Sequence, residues 1–225
     1  EQKFLMVDTI EGWAMAMDAL VRAFLCGGPM PRFDPMDIRD KGSFLKTSGG
    51  RAPGSGPLLE ALSKVRAVFE RKQDGQKLHP IEVHDILCLM AEAVLSGGIR
   101  RSSFVAFFSP GDQDMLKCKF GDWLNHSPWR SKANNDACLL RGKHTEKDFW
   151  KYWDLIAASK SGEPGIYWTN SLEWIFNPCL EASLQSSTFC NLVTVPVDDV
   201  FDQEELERRA KLASRIATLQ AAYTD

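Results

Sequence analysis

Apolar residues recur along this chain at two spacings. After Asp8-Thr9-Ile10-Glu11, a polar start with an acid in the first turn, Trp13, Met17, Leu20, Val21 and Phe24 fall on one face until Gly27-Gly28, and the pattern predicts a helix. Gly56-Pro57 opens a second helical pattern that turns Leu58, Leu62, Val65 and Phe69 inward; proline suits a helix start because its missing N–H would have had no partner there. Pro80 opens a third, with Val83, Leu87, Met90 and Val94 on its face and Gly97-Gly98 after it. Thr145 is placed to cap a helix bearing Trp150, Trp153 and Ile156, and Asp202 with Glu205 begins a last one through Leu206, Ala213, Ile216 and Leu219. Short apolar runs predict strands at 44–47, 104–108, 165–168 and 188–195, and the run at 104–108 is apolar on both faces, as in a sheet covered by helices. Helices alternating with short apolar strands predict an α/β fold. The polar stretch 125–135 reads as a loop, either a lid or a surface excursion.

Composition narrows the function classes. With 225 residues, 44% hydrophobic and 25% charged, the chain has the make-up of a globular protein with a sizeable core. A net charge of −3, with basic and acidic residues interspersed, provides no field to hold a nucleic acid. No apolar run approaches the roughly 20 residues that span a bilayer, so no membrane role and a cytoplasmic location are expected. The six cysteines form no Cys-x-x-Cys pair and the four histidines do not cluster with them, so no metal site is expected. Cys26, Cys88, Cys118 and Cys138 read as buried structural thiols of a reducing compartment.

The densest candidate chemistry is Asn177-Pro178-Cys179-Leu180-Glu181, followed by Cys190-Asn191-Leu192. Proline fixes the backbone beside Cys179, and the apolar Trp174-Ile175-Phe176 precedes it, so Cys179 reads as the tip of a buried loop. An amide, a thiol and a carboxylate at alternate positions, with a second thiol close by, suit chemistry at sulfur. Taken alone, both cysteines also read as small core hydrophobes and Asn177 as a loop cap.

Four segments, in the same order and with similar spacing, carry a resemblance to the catalytic subunit of ribonucleotide reductases, above all the monomeric adenosylcobalamin-dependent class II type. They are Gly49-Gly50-Arg51-Ala52-Pro53-Gly54, the run from Val94 through Ser96-Gly97-Gly98-Ile99-Arg100-Arg101-Ser102, Arg130-Ser131-Lys132-Ala133-Asn134-Asn135, and the Cys179 segment with Phe189-Cys190-Asn191-Leu192. The similarity covers nearly the whole chain. It implies part of a ten-stranded α/β barrel in one domain over 1–225: most of the first half-barrel, a central finger loop at about 170–181, and the start of the second half. It also implies that the flanking parts of the reductase, with a first redox cysteine and a substrate-phosphate loop, lie outside this stretch.

The resemblance further implies reduction of ribonucleotides, as triphosphates, with adenosylcobalamin as cofactor and an external dithiol such as thioredoxin as reductant. On the matching positions, Cys179 becomes the thiyl that takes the 3′ hydrogen, Glu181 the base toward the 3′ hydroxyl, and Asn177 the group that holds the sugar hydroxyls. Cys190 becomes one of two reducing thiols, its partner lying outside this stretch. Asn134, Asn135, Gly49, Gly50 and Arg51 are weaker candidates for the substrate pocket; the glycines serve equally well to permit a tight crossing. Arg100 and Arg101, at the head of a strand, suit carboxylate or anion partners, while His84, Trp150 and Trp153 read as core or helix-surface residues. Two other readings stay open: a non-catalytic piece that keeps the reductase fold, and a class I catalytic subunit that receives its radical from a partner.

Overall fold

A computed structural model describes residues 2–45, 50–96, 99–100, 103–188 and 190–222. The chain divides into two compact units, residues 1–172 and 173–225. The expectations that fall on Thr47, Gly49, Gly97, Gly98, Arg101, Ser102 and Phe189 lie outside the described residues.

The first unit opens with β1 (Gln2–Leu5), α1 (Ile10–Leu25) and β2 (Pro31–Asp34), the two strands pairing in parallel with Gln2 opposite Pro31. Thr9 caps α1, its hydroxyl accepting the Gly12 N–H at 2.9 Å. Gly12 is required there, because a Cβ would stand 2.2 Å from the Val7 carbonyl oxygen. The expected face of α1 is borne out: Met17 and Leu20 are buried, and Trp13, Val21 and Phe24 pack beside them. So is that of α2 (Gly56–Glu70), where Leu58, Leu62, Val65 and Phe69 are all buried. Phe24 stacks on Phe69 at 5.0 Å between centroids, joining the two helices. Each fully buried aliphatic side chain in this cluster contributes about 1.5–3 kcal/mol. Of the segment expected as a strand at 44–47, Phe44 and Leu45 are described, and Phe44 forms an isolated bridge to Arg51.

α3 (Pro80–Ala93) starts where expected, but of its expected face Met90 alone packs against the core. Val83, Leu87 and Val94 are exposed, while His84, Ile86, Cys88, Leu89, Ala91 and Ala93 are buried. The helix carries two apolar stripes. The one with small residues at Cys88 and Ala91 allows the closer approach, and it alone supplies His84, whose polar ring has a buried partner. After α3, β3 (Leu95–Ser96) and β4 (Ile99–Arg100) form a short antiparallel pair, so Arg100 sits in a hairpin and not at the head of the next strand.

Three parallel strands follow, β5 (Phe104–Phe108), β6 (Ala133–Leu140) and β7 (Gly165–Thr169), with β6 in the middle. Among the described residues β5 is an edge strand with only Phe108 buried, which corrects the expectation of a strand covered on both faces. Between β5 and β6 lie the short α4 (Gln113–Leu116) and α5 (Trp123–His126). The stretch 125–135 is not one loop: it holds the end of α5, a 3₁₀ turn at Pro128–Lys132, and the first residues of β6. α6 (Glu146–Ser159) is capped by Thr145 as expected, with Asp148 returning to the Thr145 N–H at 2.8 Å. Trp150 and Trp153 lie on its exposed surface.

The polar groups of α3 and β6 satisfy one another. Arg130 grips both oxygens of Asp85, from Nε at 2.6 Å and Nη2 at 2.7 Å, and donates from Nη1 to the Cys118 carbonyl; Trp129 donates to Asp85 from its indole N–H at 2.9 Å. Burial opposes charge on Asp85, but the donors from Arg130, His84 and Trp129 outweigh it and hold the carboxyl at about 2.

The second unit contains β8 (Ile175–Phe176) antiparallel to β9 (Ser183–Leu184), and α7 (Gln203–Ala222), which begins where expected. The strand expected at 188–195 does not form: Thr188 and residues 190–195 are irregular.

The Asp85–Arg130 fork leads to an expected outcome. Arg130→Ala should destabilise the fold by about 3–5 kcal/mol, the cost of stranding a buried charge. Because the folded carboxyl lies below its unfolded value near 3.9, its contribution is present above about pH 4 and is lost as pH falls toward 2. Urea unfolding between pH 7 and pH 2 should show this loss, and Asp85→Asn should flatten it.

Candidate functional site

The segment that joins β8 to β9 is a six-residue turn, and each residue has a local reason to be where it is. The Leu180 N–H bonds back to the Asn177 carbonyl at 2.9 Å, closing a β-turn with Pro178 and Cys179 at its centre. Proline presets the backbone angle that the second turn position needs. Leu180 then takes a left-handed conformation, φ 67°, which swings the chain toward β9. Asn177 and Ala182 close the base, the Asn177 N–H donating to the Ala182 carbonyl at 3.2 Å and the Ala182 N–H to Asn177 Oδ1 at 3.0 Å.

Asn177 is the buried residue of this turn, at 8% exposure, and its amide holds the others. Nδ2 donates to Glu181 Oε1 at 2.6 Å and lies 3.7 Å from Cys190 Sγ. One carboxamide thus gathers the carboxylate and the second thiol on one side of the turn, with Cys179 at the tip. Three of the four expected residues are brought together by direct contacts, and Cys179 belongs to the same turn. The expectation of a buried loop does not hold within this chain: Cys179, Leu180, Glu181 and Cys190 are exposed, as are Trp174 and Ile175 before them. Of the apolar run that suggested burial, Ile175 and Phe176 form a two-residue strand, paired among the described residues with β9.

The weaker candidates separate. Asn135 is 1% exposed on the helix side of β6, its Oδ1 2.7 Å from His84 Nε2 and its Nδ2 donating to Cys118 Sγ at 3.1 Å. Its amide is thus held at both ends inside this unit. Asn134, one residue earlier on a strand, points to the opposite face and is exposed. Gly50 adopts φ 79° and its carbonyl accepts the Leu45 N–H at 3.0 Å, while Arg51 donates from Nη1 to the Gly42 carbonyl at 2.9 Å. With the Ala52 N–H bonded to Ser43 and the Gly42 N–H to Ala52, this segment uses its amides to fasten a tight crossing. Of the remaining thiols, burial pushes Cys88 up to about 12 and Cys118 and Cys138 to about 11, as structural cysteines. Cys26, by contrast, is exposed at the end of α1.

Sequence reasoning missed one constellation altogether. Lys119, Asp136 and Glu163 meet at the beginning of the sheet, Lys119 donating to Glu163 Oε1 at 2.8 Å and to the Ala133 carbonyl at 2.6 Å. These residues are 17 to 44 positions apart and follow no spacing rule, so only the parallel pairing of β6 and β7 unites them. Among the described residues no group of three metal-ligating side chains occurs, and no helix is long and apolar enough to cross a membrane.

No family model matches the chain. Among characterised proteins it is similar to the adenosylcobalamin-dependent ribonucleoside-triphosphate reductase of Euglena gracilis, with 28% identity over 92% of this chain and 30% of that protein. The reductase of the same name from Lacticaseibacillus paracasei is 31% identical over 93% of this chain and 30% of its own length, and that from Lactobacillus leichmannii 30% identical over 85% and 28%. The crystal structure of a B12-dependent (class II) ribonucleotide reductase shares the fold with a TM-score of 0.72 and 26% identity, covering 96% of this chain and 32% of that one. The α/β expectation is met, the architecture being a portion of that reductase fold. This chain spans about 30% of the length of the relatives it matches. In sequence and in fold, the chain is similar over almost its whole extent to one portion of class II, adenosylcobalamin-dependent ribonucleotide reductases.

Proposed function

We propose that the complete protein reduces ribonucleoside triphosphates to deoxyribonucleotides through a thiyl radical, and that this chain supplies the loop on which the radical chemistry takes place. The observation that carries this reading is the Asn177 amide, which binds Glu181 and approaches Cys190 on the turn that has Cys179 at its tip. The relatives' names supply the substrate class and the cofactor, adenosylcobalamin. A group that takes a hydrogen atom from sulfur must reach it, and the exposed Cys179 thiol meets that requirement. When bound, the cofactor supplies a radical by homolysis of its cobalt–carbon bond.

The residues of this chain then have distinct tasks. Cys179 gives up its S–H hydrogen and, as a thiyl, removes the hydrogen at C3′ of the ribose. Glu181 accepts the proton of the 3′ hydroxyl as general base, and Asn177 fixes the carboxylate in place through Oε1. The C2′–O bond breaks and the hydroxyl leaves as water, taking the proton of one of the two reducing thiols. Two electrons and the hydrogen that replaces it come from two thiols, Cys190 and one outside this stretch, which close to a disulfide. Cys179 finally returns its hydrogen to C3′, and Glu181 returns its proton to the 3′ oxygen. An external dithiol of the thioredoxin type reopens the disulfide for the next turnover.

Replacements in the full-length protein separate these roles. Cys179→Ser should abolish both deoxynucleotide formation and exchange of the 3′ hydrogen, because an O–H group does not carry the radical at accessible energy. Cys190→Ser should stop reduction yet leave 3′ exchange measurable; retention of reductase activity by Cys179→Ser would overturn the assignment. Glu181→Gln keeps size and hydrogen bonding but removes the base, so single-turnover reduction should slow by about 10²–10⁴-fold. Asn177→Ala frees the carboxylate without deleting it and should cost about 10²-fold in kcat, with little change in substrate binding.

A further inference from the structure

We infer that the groove between α4 and α6 binds a phosphorylated aromatic ligand, its planar ring stacked on Trp150 and its phosphates held by Lys117, Lys147 and Lys151. The groove has a volume of about 580 Å³, in the range of small-molecule sites. Its floor belongs to the core that packs on β6, where Leu116 and Tyr152 are buried, and the Tyr152 hydroxyl donates to the Pro110 carbonyl at 3.1 Å. The two walls are thereby fixed before anything binds. Trp150 stands in the opening at 52% exposure, yet its orientation is set. The indole N–H donates to Glu146 Oε1 at 3.2 Å, and the ring meets Phe149 edge-on at 5.4 Å between centroids. An exposed indole held in place is a platform on which a flat ring stacks at little cost in ordering.

The lysines stand where the helix alone does not favour them. Lys147 and Lys151 lie four residues apart on one face of α6, so they repel, and Lys147 is in the first turn, where the helix dipole disfavours a cation. Elsewhere the helices of this chain set opposite charges at that spacing, as in Asp18–Arg22, Glu60–Lys64 and Glu207–Lys211. Among the described residues, neither lysine forms an ion pair, and nor does Lys117, which lines the same groove from the end of α4. The acids of α6 are used otherwise: Asp148 caps through Thr145 and acts on Lys151 at longer range, and Glu146 holds the indole. Asp154 is the one carboxylate in the lining, so three ammonium groups leave it a net charge of +2, against −3 for the whole chain. An uncharged ring would leave these ammonium groups unmatched, and inorganic phosphate would leave the indole and the apolar floor uncovered. A ring that carries phosphates satisfies both.

Fluorine NMR on the full-length protein labelled with 5-fluorotryptophan reads the site without any need for turnover. The Trp150 resonance is assigned by its loss in Trp150→Phe. ATP serves as the probe, with adenosine and tripolyphosphate as its two halves. The Trp150 resonance should move saturably with ATP, and each half alone should need a concentration about tenfold higher or more. Replacing both Lys147 and Lys151 by glutamine should raise the ATP midpoint by about tenfold, the order of loss for a hydrogen bond to a charged group. Replacing both by arginine keeps the charge and should leave the midpoint close to that of the unaltered protein. A shift relayed from nucleotide bound elsewhere would keep its midpoint in the glutamine variant, and that result would overturn the inference. So would equal midpoints for ATP and tripolyphosphate, which would remove the stacked ring. A Trp150 resonance that does not move at millimolar ATP, as when another part of the protein fills the groove, would defeat the proposal outright.

Discussion

A central parallel strand that begins Ala-Asn-Asn-Asp brings polar groups into a place where water does not follow, and much of the first unit is arranged around satisfying them. Asn135 and Asp136, adjacent on β6, are both buried. Because successive side chains on a strand point to opposite faces, one must be met from the helix side and the other from the far side. On the helix side, His84 and Cys118 take the two ends of the Asn135 amide. This demand fixes which stripe of α3 turns inward. Asp85, next to His84 on that helix, is in turn held by the Arg130 fork and Trp129, so the segment just before β6 is tied to α3. Unpaired, each of these groups would carry a desolvation penalty comparable to a lost hydrogen bond. Paired, they fix the rotation and register of the elements that bear them.

The same constraint explains what was legible in the sequence. The faces of α1 and α2 could be read because their cores are aliphatic and aromatic, and burial there follows periodicity alone. α3 carries two apolar stripes, and hydrophobicity favoured Val83, Leu87, Met90 and Val94, while a polar contact 51 residues away decided for the His84 side. β6 was hidden because Asn-Asn-Asp has poor strand propensity and reads as a loop; its place is set by backbone pairing to β5 and β7, to which side chains contribute little warning. The short pair β1 and β2 escaped for a related reason, since four-residue strands show too little alternation to register.

The candidate site was legible as a set of residues and not as a structure. Asn177, Cys179 and Glu181 lie so close along the chain that any compact turn groups them, and Pro178 signals such a turn. The contact from Asn177 to Cys190 spans an irregular segment, and an expected strand at 188–195 gave the right neighbour for the wrong reason. Exposure was the larger error. An apolar run before a proline points to an interior position, whereas the turn belongs to a hairpin of two-residue strands whose own burial is slight.

This difference separates the ways in which the two units hold their important side chains. In the first, polar groups are positioned by a packed interior, and each is fixed by partners from several elements. In the second, no residue of α7 is buried and the turn is exposed, so position depends on local hydrogen bonds. Besides its approach to Cys190, Asn177 makes four of those bonds: it donates to the Ala182 carbonyl and to Glu181, and accepts from the Ala182 and Leu180 N–H groups. A carboxamide is suited to this task because it donates and accepts at once, so one side chain satisfies the backbone and the carboxylate together. An aspartate there would repel Glu181, and a leucine would leave the Ala182 N–H without its acceptor. Asn177 is therefore the residue through which the backbone of the turn sets the position of the Glu181 carboxylate, while Cys179 stands exposed at the tip.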